Sequence, residues 1–534
     1  MIFGANRKWW LMALLGALIT GCSEKNDKPS LVVLGVDGAT WDTLRPMMAA
    51  GELPHFKRIT DSGASGKLMT LGPAVSPVIW TTFVTGHFGR QHGILDFTYP
   101  YTPGPKSPVE SLQRLEPAVW NLASDANQRV GVVGYFGSYP ADQLNGVMVT
   151  DRAIQNLENS IFPADYFGPA LKEISQIQST DQRQTLFGRF FAWPHQLAQV
   201  AKEDQIRQLN EAEQFASKMV SGRVDASLIH SEYLRRITRH MMENDRFDLL
   251  ITYFRIVDYA SHSLWKYHDD SDYQDKPDAE IKSLLGPVVS ESYRYMDEVL
   301  GEILDRMQAQ DNLIIVSDHG FGPALGPYSI HGPNPYQLNG NHRPDGIFIG
   351  YGPAFTSATN IQRLTILDIM PLLVHLLDLP LADDLPGSVP YQVLDEMVAN
   401  KTTATVSDYQ RTMSGKLTAS VDDKAQAEAL KQLRGLGYIN EDFESGRRDE
   451  DYEFWNIAPN MLLEHVVGEA LFFILRDEPQ VALELIQRAG QERPEMAKVF
   501  VPYVNRIWAL LEERFPSDVL GAEKLESFKE LAVQ

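Results

Sequence analysis

Short unbroken apolar runs recur along the chain. They are LVVLGVDG at 31–38, RVGVVGYF at 129–136, FDLLITYF at 247–254, NLIIVSDHG at 312–320 and DGIFIGYGP at 345–353. Runs of this length suit strands covered on both faces, as in a parallel sheet. Between them the apolar positions take a helical period, as in SYRYMDEVLGEILDRMQ at 292–308 and IQRLTILDIMPLLVHLLDL at 361–379. Strands alternating with helices predict an α/β fold with a mostly parallel central sheet sandwiched by helices. Residues 152–246 break the rhythm: they are polar and helical in pattern, with an aromatic knot, FGRFFAWPHQ, at 187–196. They read as a helical insertion over one sheet edge and a candidate substrate cap. An α/β domain carrying that insertion is thus expected over 31–400 and a helical C-terminal domain over 401–534. In the latter, AQAEALKQLRGLGYI at 425–439 reads as a helix with a glycine stop. Residues 461–515 read as consecutive amphipathic helices broken at Asp477-Glu478-Pro479 and Arg493-Pro494. The 34-residue signature of tetratricopeptide repeats is absent from this region.

The N-terminus follows another pattern. Arg7 and Lys8 precede an apolar run from Trp9 to Ile19, and small residues follow. That is the layout of a secretory signal, and the run is shorter than the roughly 20 residues a membrane span needs. Cys22 is the only cysteine. The stretch I-T-G-C resembles the bacterial lipobox, which implies a signal peptide at 1–21, a lipidated Cys22 and a polar linker at 22–30. Ser23 in place of Asp implies, by the same resemblance, the outer membrane rather than the inner. The expectation is a protein of the bacterial cell envelope, lipid-anchored and facing the periplasm; an ordinary signal peptide with an incidental cysteine is the alternative. A lipidated Cys22 leaves no thiol for a disulfide or for cysteine catalysis.

Charge narrows the partners. The net charge is −22, from 48 basic and 70 acidic side chains. Phosphate backbones need basic surface, so a nucleic-acid scaffold binder is excluded. An acidic enzyme still binds phosphate esters where metal ions reverse the local field.

Ligands of α/β sheets lie beyond the carboxyl ends of the strands, and this chain places Asp and His there. Asp37 ends the first run. Asp258 and His262 follow FDLLITYF, four residues apart. Asp318-His319 ends NLIIVSDHG, and His342 sits in GNHRPDG before the next strand. Each residue has a plainer use, as a cap, a turn or a surface histidine. Together they form a ligand set for zinc or a similar divalent ion. Ser76 opens SPVIWTTFVTG at the start of a helix, with Pro77 suited to its first position. It reads as a helix cap or as a nucleophile. A serine hydroxyl needs a base or a metal to react, and the nearby ligands favour the nucleophile.

The pieces VVLGVDGATWD, SPVIWTTFVTGHFGRQHGI, DYASH, SDHGF and GNHRPDGIFIGYGP, in that order over residues 31–380, resemble the alkaline phosphatase superfamily. The resemblance is to its type I phosphodiesterase/nucleotide pyrophosphatase branch. It implies two divalent metal ions, zinc or alternatively manganese. One would be held by Asp258, His262 and His342, the other by Asp37, Asp318 and His319, with the hydroxyl of Ser76 as a further ligand. It implies a phosphate-ester substrate and a phospho-serine intermediate. The asparagine that follows the nucleophile in nucleotide pyrophosphatases is missing, as is the sulfatase signature. Arg90, Arg255 and Arg343 are candidates to hold a phosphate, and His331 is the rival of His342. A phosphomonoesterase, an envelope phospho-group transferase and a non-catalytic assembly protein are the alternatives. A protein partner is expected to bind through the C-terminal helices.

Overall fold

The first apolar run folds as β1 (Leu31–Val36), buried throughout. Its side chains alternate between two cores: Val32, Leu34 and Val36 point into one, Leu31 and Val33 into the other. A strand with both faces covered must be apolar at every position, which is why the run lacks polar alternation. The computed structural model describes residues 29–70, 72, 74–99, 107–178, 211–220, 224–324, 340–357, 359–409 and 459–496.

After β1 come α1 (Trp41–Ala49), α2 (Pro54–Ser62), β2 (Ala64–Met69), α3 (Ser76–Thr85), β3 (Val130–Val133), β4 (Gly146–Val149) and β5 (Ile161–Phe162). The central part holds α4 (Val224–Asn244), β6 (Leu249–Phe254), α5 (Ile256–His268), α6 (Pro287–Leu304) and β7 (Asn312–Val316). Then follow β8 (Gly320–Pro323), β9 (Gly340–Arg343), β10 (Asp345–Tyr351), β11 (Thr359–Thr365), α7 (Ile369–Leu376), α8 (Pro459–Leu475) and α9 (Pro479–Glu492).

The main sheet has the order β11-β2-β10-β7-β1-β6-β3-β4-β5. Its middle strands β7, β1, β6, β3 and β4 all run parallel. β10 is antiparallel to β7 and β2, and β5 is antiparallel to β4. Helices α1, α2, α4, α5 and α6 bury their apolar faces on one side. Helices α3 and α7 do so on the other. The mostly parallel α/β sandwich expected from the sequence is the fold observed.

The expected helix over 361–379 is a correction. Thr359–Thr365 instead pairs with β2 as an edge strand, and the helix starts at Ile369. Strand pairing there lets Ile361 and Leu364 enter the core. His342 lies within strand β9, paired with β8, rather than in a loop. Within 152–246, α4 lies on the sheet and buries Leu228, Leu234, Ile237 and Met241. The aromatic knot at 187–196 lies outside the described residues.

The C-terminal helices break where Asp477-Glu478-Pro479 predicted. Asp477 takes a positive φ of 63°, and Pro479 opens α9. Helix α8 packs on the α/β sandwich beside α3. Phe472 meets Phe88 edge to face at 5.4 Å, and Arg90 pairs with Glu469. A His465 ring nitrogen lies 3.2 Å from the Leu95 carbonyl, and Arg476 pairs with Asp368. Gly468 is what permits this fit: a Cβ there would sit 1.8 Å from the Gly72 carbonyl oxygen. Residues 425–439 and 497–515 lie outside the described residues, as do the signal segment and Cys22. Among the described residues no helix is long and apolar enough to cross a membrane.

Candidate active site

Helix α3 begins with Val75 as its N-cap, and no side chain caps it. Ser76 is 1% exposed, and its Oγ makes no hydrogen bond. The other hydroxyls of the helix are committed. Thr81 Oγ1 donates to the Pro77 carbonyl at 2.6 Å, and Thr85 Oγ1 to the Thr81 carbonyl at 2.8 Å. Thr82 Oγ1 lies 3.0 Å from His92 Nε2. Ser76 is therefore not a cap, and its hydroxyl is the uncommitted one on the helix. Gly86 closes α3 in the left-handed conformation, its N–H bonded to the Thr82 carbonyl. The start of α3 offers few backbone donors, because Val78 and Ile79 N–H both bond to the Val75 carbonyl and Pro77 has none. It contributes mainly its dipole.

The parallel strands carry the predicted ligands to one place. Asp37 follows β1, and Asp318 and His319 follow β7. Asp258 and His262 stand one turn apart on α5, and His342 comes from β9. All six are buried. His319 Nε2 lies 3.3 Å from Asp37, 3.5 Å from Asp318 and 3.8 Å from Asp258. Asp258 lies 3.3 Å from His262 Nε2 and 3.4 Å from His342 Nε2. The His262 and His342 Nε2 atoms are 2.8 Å apart.

Each imidazole has its Nδ1 at a backbone carbonyl and its Nε2 toward this centre. His262 Nδ1 meets Gly340 at 3.2 Å, His319 Nδ1 meets Gly320 at 3.1 Å, and His342 Nδ1 meets Ala74 at 2.9 Å. Carbonyls that orient the far nitrogen are the usual support of metal-binding histidines. The Ala74 contact also ties the centre to the turn just before Ser76. Tyr253 donates to the Asp37 carboxylate, a support that its apolar run FDLLITYF did not reveal. Gly38, at a φ of +73°, turns the chain between Asp37 and α1 where a Cβ would crowd Asp258.

The donor set fits divalent cations. Asp37, Asp318 and His319 lie within 4.8 Å of one another, as do Asp258, His319 and His342, so His319 belongs to both sets by distance. Buried Asp37 Oδ1, Asp318 Oδ2, His319 Nε2 and Ser76 Oγ have no hydrogen-bond partner, a costly arrangement for groups other than ligands. Proton affinities show the same excess of negative charge. Burial, then the Asp37 charge, holds Asp318 well above the usual carboxylate range. Burial opposes charge on His319, but Asp318, Asp37 and Asp258 outweigh it and push its pKa up to about 10. Burial, then neighbouring imidazoles, holds His262 and His342 below the ordinary histidine value, in the neutral form that binds metals.

Of the candidate arginines, Arg90 is turned to Glu469, and Arg343 bonds to the carbonyls of His342 and Pro323. Arg255 caps α5 beside the ligand cluster. His87 and His92 are buried among hydrogen bonds away from the six ligands. His331 lies outside the described residues.

A sequence profile described as type I phosphodiesterase / nucleotide pyrophosphatase matches residues 31–345. No curated protein matches the chain. Similar solved structures include human ectonucleotide pyrophosphatase/phosphodiesterase 5, at 16% identity and a TM-score of 0.39, covering 68% of this chain and 100% of that one. An inactive form of the murine protein in complex with AMP is 14% identical, with a TM-score of 0.38, over 69% of this chain and 100% of that one. Phosphonoacetate hydrolase from Sinorhizobium meliloti, in complex with phosphonoformate, is 13% identical, with a TM-score of 0.39, over 66% of this chain and 96% of that one. With more than half its length matched, and the motif residues gathered at one centre, this chain belongs to the type I phosphodiesterase/nucleotide pyrophosphatase family, hydrolases of the alkaline phosphatase superfamily.

Proposed function

We propose that the protein is a phosphodiesterase that works through a phospho-serine intermediate on Ser76, with two divalent cations, zinc by choice of ligands. The uncommitted, buried Ser76 hydroxyl beside a six-residue Asp/His cluster is the observation that carries this reading. Asp37, Asp318 and His319 would hold one cation together with Ser76 Oγ. Asp258, His262 and His342 would hold the other. Such cations lower the pKa of a bound hydroxyl and neutralise phosphoryl charge.

The remaining work falls to the chain. Rigid α3 presents Ser76 Oγ to the phosphorus, and the helix dipole favours the anionic ester. The Ser76 proton leaves to solvent. Oγ then bonds to phosphorus, while the bond to the alcohol oxygen breaks and that alcohol takes up a proton. Water next cleaves the phospho-serine bond, freeing the monoester and restoring the hydroxyl. Tyr253 orients Asp37 through its donated hydrogen bond.

The test is hydrolysis of bis(p-nitrophenyl) phosphate beside p-nitrophenyl phosphate, with zinc or manganese supplied. Ser76→Ala and chelation should each abolish turnover of the diester. Preference for the monoester would make the protein a phosphatase. Turnover that survives Ser76→Ala would overturn the nucleophile.

The same reading places the enzyme in the bacterial cell envelope, facing the periplasm from the outer membrane through a lipid on Cys22. The ITGC sequence supports this. Detergent phase partitioning of wild type and Cys22→Ala tests it: equal partitioning would remove the anchor.

A further inference from the structure

In SDHGF, Asp318 and His319 belong to the ligand cluster, and the Gly320 carbonyl orients His319. Phe321 is apolar and only 2% exposed, yet it joins neither core of the sandwich. With Trp265 and Tyr273 it forms a small apolar cluster of its own. The pairing of β8 with β9 sets Phe321 directly opposite His342, and His319 lies two residues before it in the chain.

The Phe321 ring therefore meets all three imidazoles of the centre. Its midpoint stands 4.7 Å from that of His262 at 83°, 5.4 Å from that of His342 at 76°, and 5.8 Å from that of His319 at 55°. The first two are edge-to-face, an arrangement that aromatic pairs prefer at this separation. Two glycines leave room for the ring. A Cβ at Gly38 would come within 3.0 Å of it, and one at Gly340 within 2.9 Å. Trp265, one turn after His262 on α5, stacks on it at 5.8 Å and 28°.

Each imidazole is held at Nδ1 by one backbone carbonyl. A ring held at a single atom still tilts about it, and a tilt carries Nε2 away from a cation. A flat apolar neighbour stops the tilt without competing for Nε2, and it keeps water from the buried side of the centre. We infer that Phe321 is a positioning residue for these histidines, above all for His262 and His342. It thereby sets the affinity of the cation site at Asp258, His262 and His342. This rests on the two-cation reading above and deepens it. The site at Asp37, Asp318 and His319 depends on Phe321 through one imidazole, at the longest of the three separations.

The test measures cation binding directly on the full chain. Metal-stripped protein is titrated with zinc against a chelating dye, and with cobalt, whose visible absorption reports ligand geometry. Phe321→Leu keeps an apolar side chain on β8 and removes the flat ring. It should weaken one bound zinc ion by about 10–100-fold, the usual effect of losing a supporting contact, and the other by a clearly smaller factor. It should also alter the cobalt spectrum. Phe321→Met, a second variant without the ring, should behave alike. Phe321→Leu added to Asp318→Asn, which disables the other site, should weaken the ion that remains. Phe56→Leu removes a buried ring of equal size from α2 and controls for lost stability: both affinities and the spectrum should stay as in the wild type. Thermal denaturation of the stripped proteins checks that each variant is folded. Unchanged zinc affinity in both Phe321 variants would overturn the inference. So would an equal loss at both ions, or losses matched by Phe56→Leu, the pattern of general destabilisation. A wild-type chain that binds neither zinc nor manganese would strike the two-cation reading itself, and the inference with it.

Discussion

Removing Arg90 should loosen α8 from the catalytic domain in a pH-dependent way. Arg90 donates twice to the Glu469 carboxylate, at 2.9 and 3.2 Å. The Glu469 side chain is 3% exposed and that of Arg90 33%. Taking one partner from a buried pair costs about 3–5 kcal/mol. The exposed share of Arg90 screens the pair, so about 2–3 kcal/mol is expected for Arg90→Met, which keeps the aliphatic stem. Burial already holds Glu469 above its usual value, and Arg90 opposes that rise. Without Arg90 the folded-state pKa climbs further. A carboxyl raised in the folded state gives stability that is present below the unfolded pKa and is lost as pH rises through the folded one. Arg90→Met should therefore melt close to wild type near pH 4.5, with the deficit growing toward pH 8. Glu469→Gln added to Arg90→Met removes the stranded charge and should recover most of the loss. Thermal unfolding of the wild type and both variants at the two pH values is the assay. A deficit of equal size at both pH values, or no recovery in the double variant, would refute the account.

Three further outcomes follow from the geometry. Gly468→Ala puts a methyl group 1.8 Å from the Gly72 carbonyl, an overpacking that costs about 1–3 kcal/mol; diester kinetics should show kcat falling more than KM rises, because Gly72 leads into Ser76. Tyr253→Phe removes the donor to Asp37 and should cost about 10–100-fold in zinc affinity or kcat, the usual price of a lost supporting contact, read by zinc titration beside turnover. Because protonated histidine cannot bind a metal, turnover at limiting zinc should fall from pH 8 toward pH 5: the carboxylates that raise His319 to about 10 leave a proton for the metal to displace across that range, whereas burial keeps His262 and His342 neutral. A flat profile down to pH 5 would contradict the ligand set.

The sequence made the centre of the fold legible because buried parallel strands need unbroken apolar runs, and such runs stand out. The same logic exposed the ligands: Asp37, Asp258 and Asp318 are polar residues at the ends of runs that tolerate none inside. Edge elements were harder to see. β2 (ASGKLM) and β11 (TNIQRLT) have short or mixed patterns, and only pairing with a neighbour makes them strands. The support Tyr253 gives Asp37 depends on contact between distant segments, which no local pattern encodes. For Ser76 the sequence left cap or nucleophile open; the coordinates make Val75 the N-cap and leave the Ser76 hydroxyl unbonded.

The turn before α3 is held by parts of the chain made long after it. Ala74 is fixed by His342, 268 residues downstream, and Gly72 is abutted by Gly468. During synthesis the helix bearing Ser76 emerges early, yet neither brace exists until most of the polypeptide has followed. The setting of Ser76 is thus a late acquisition of the growing chain, and a nascent or clipped form lacking α8 carries the serine without one of the braces on the turn before it.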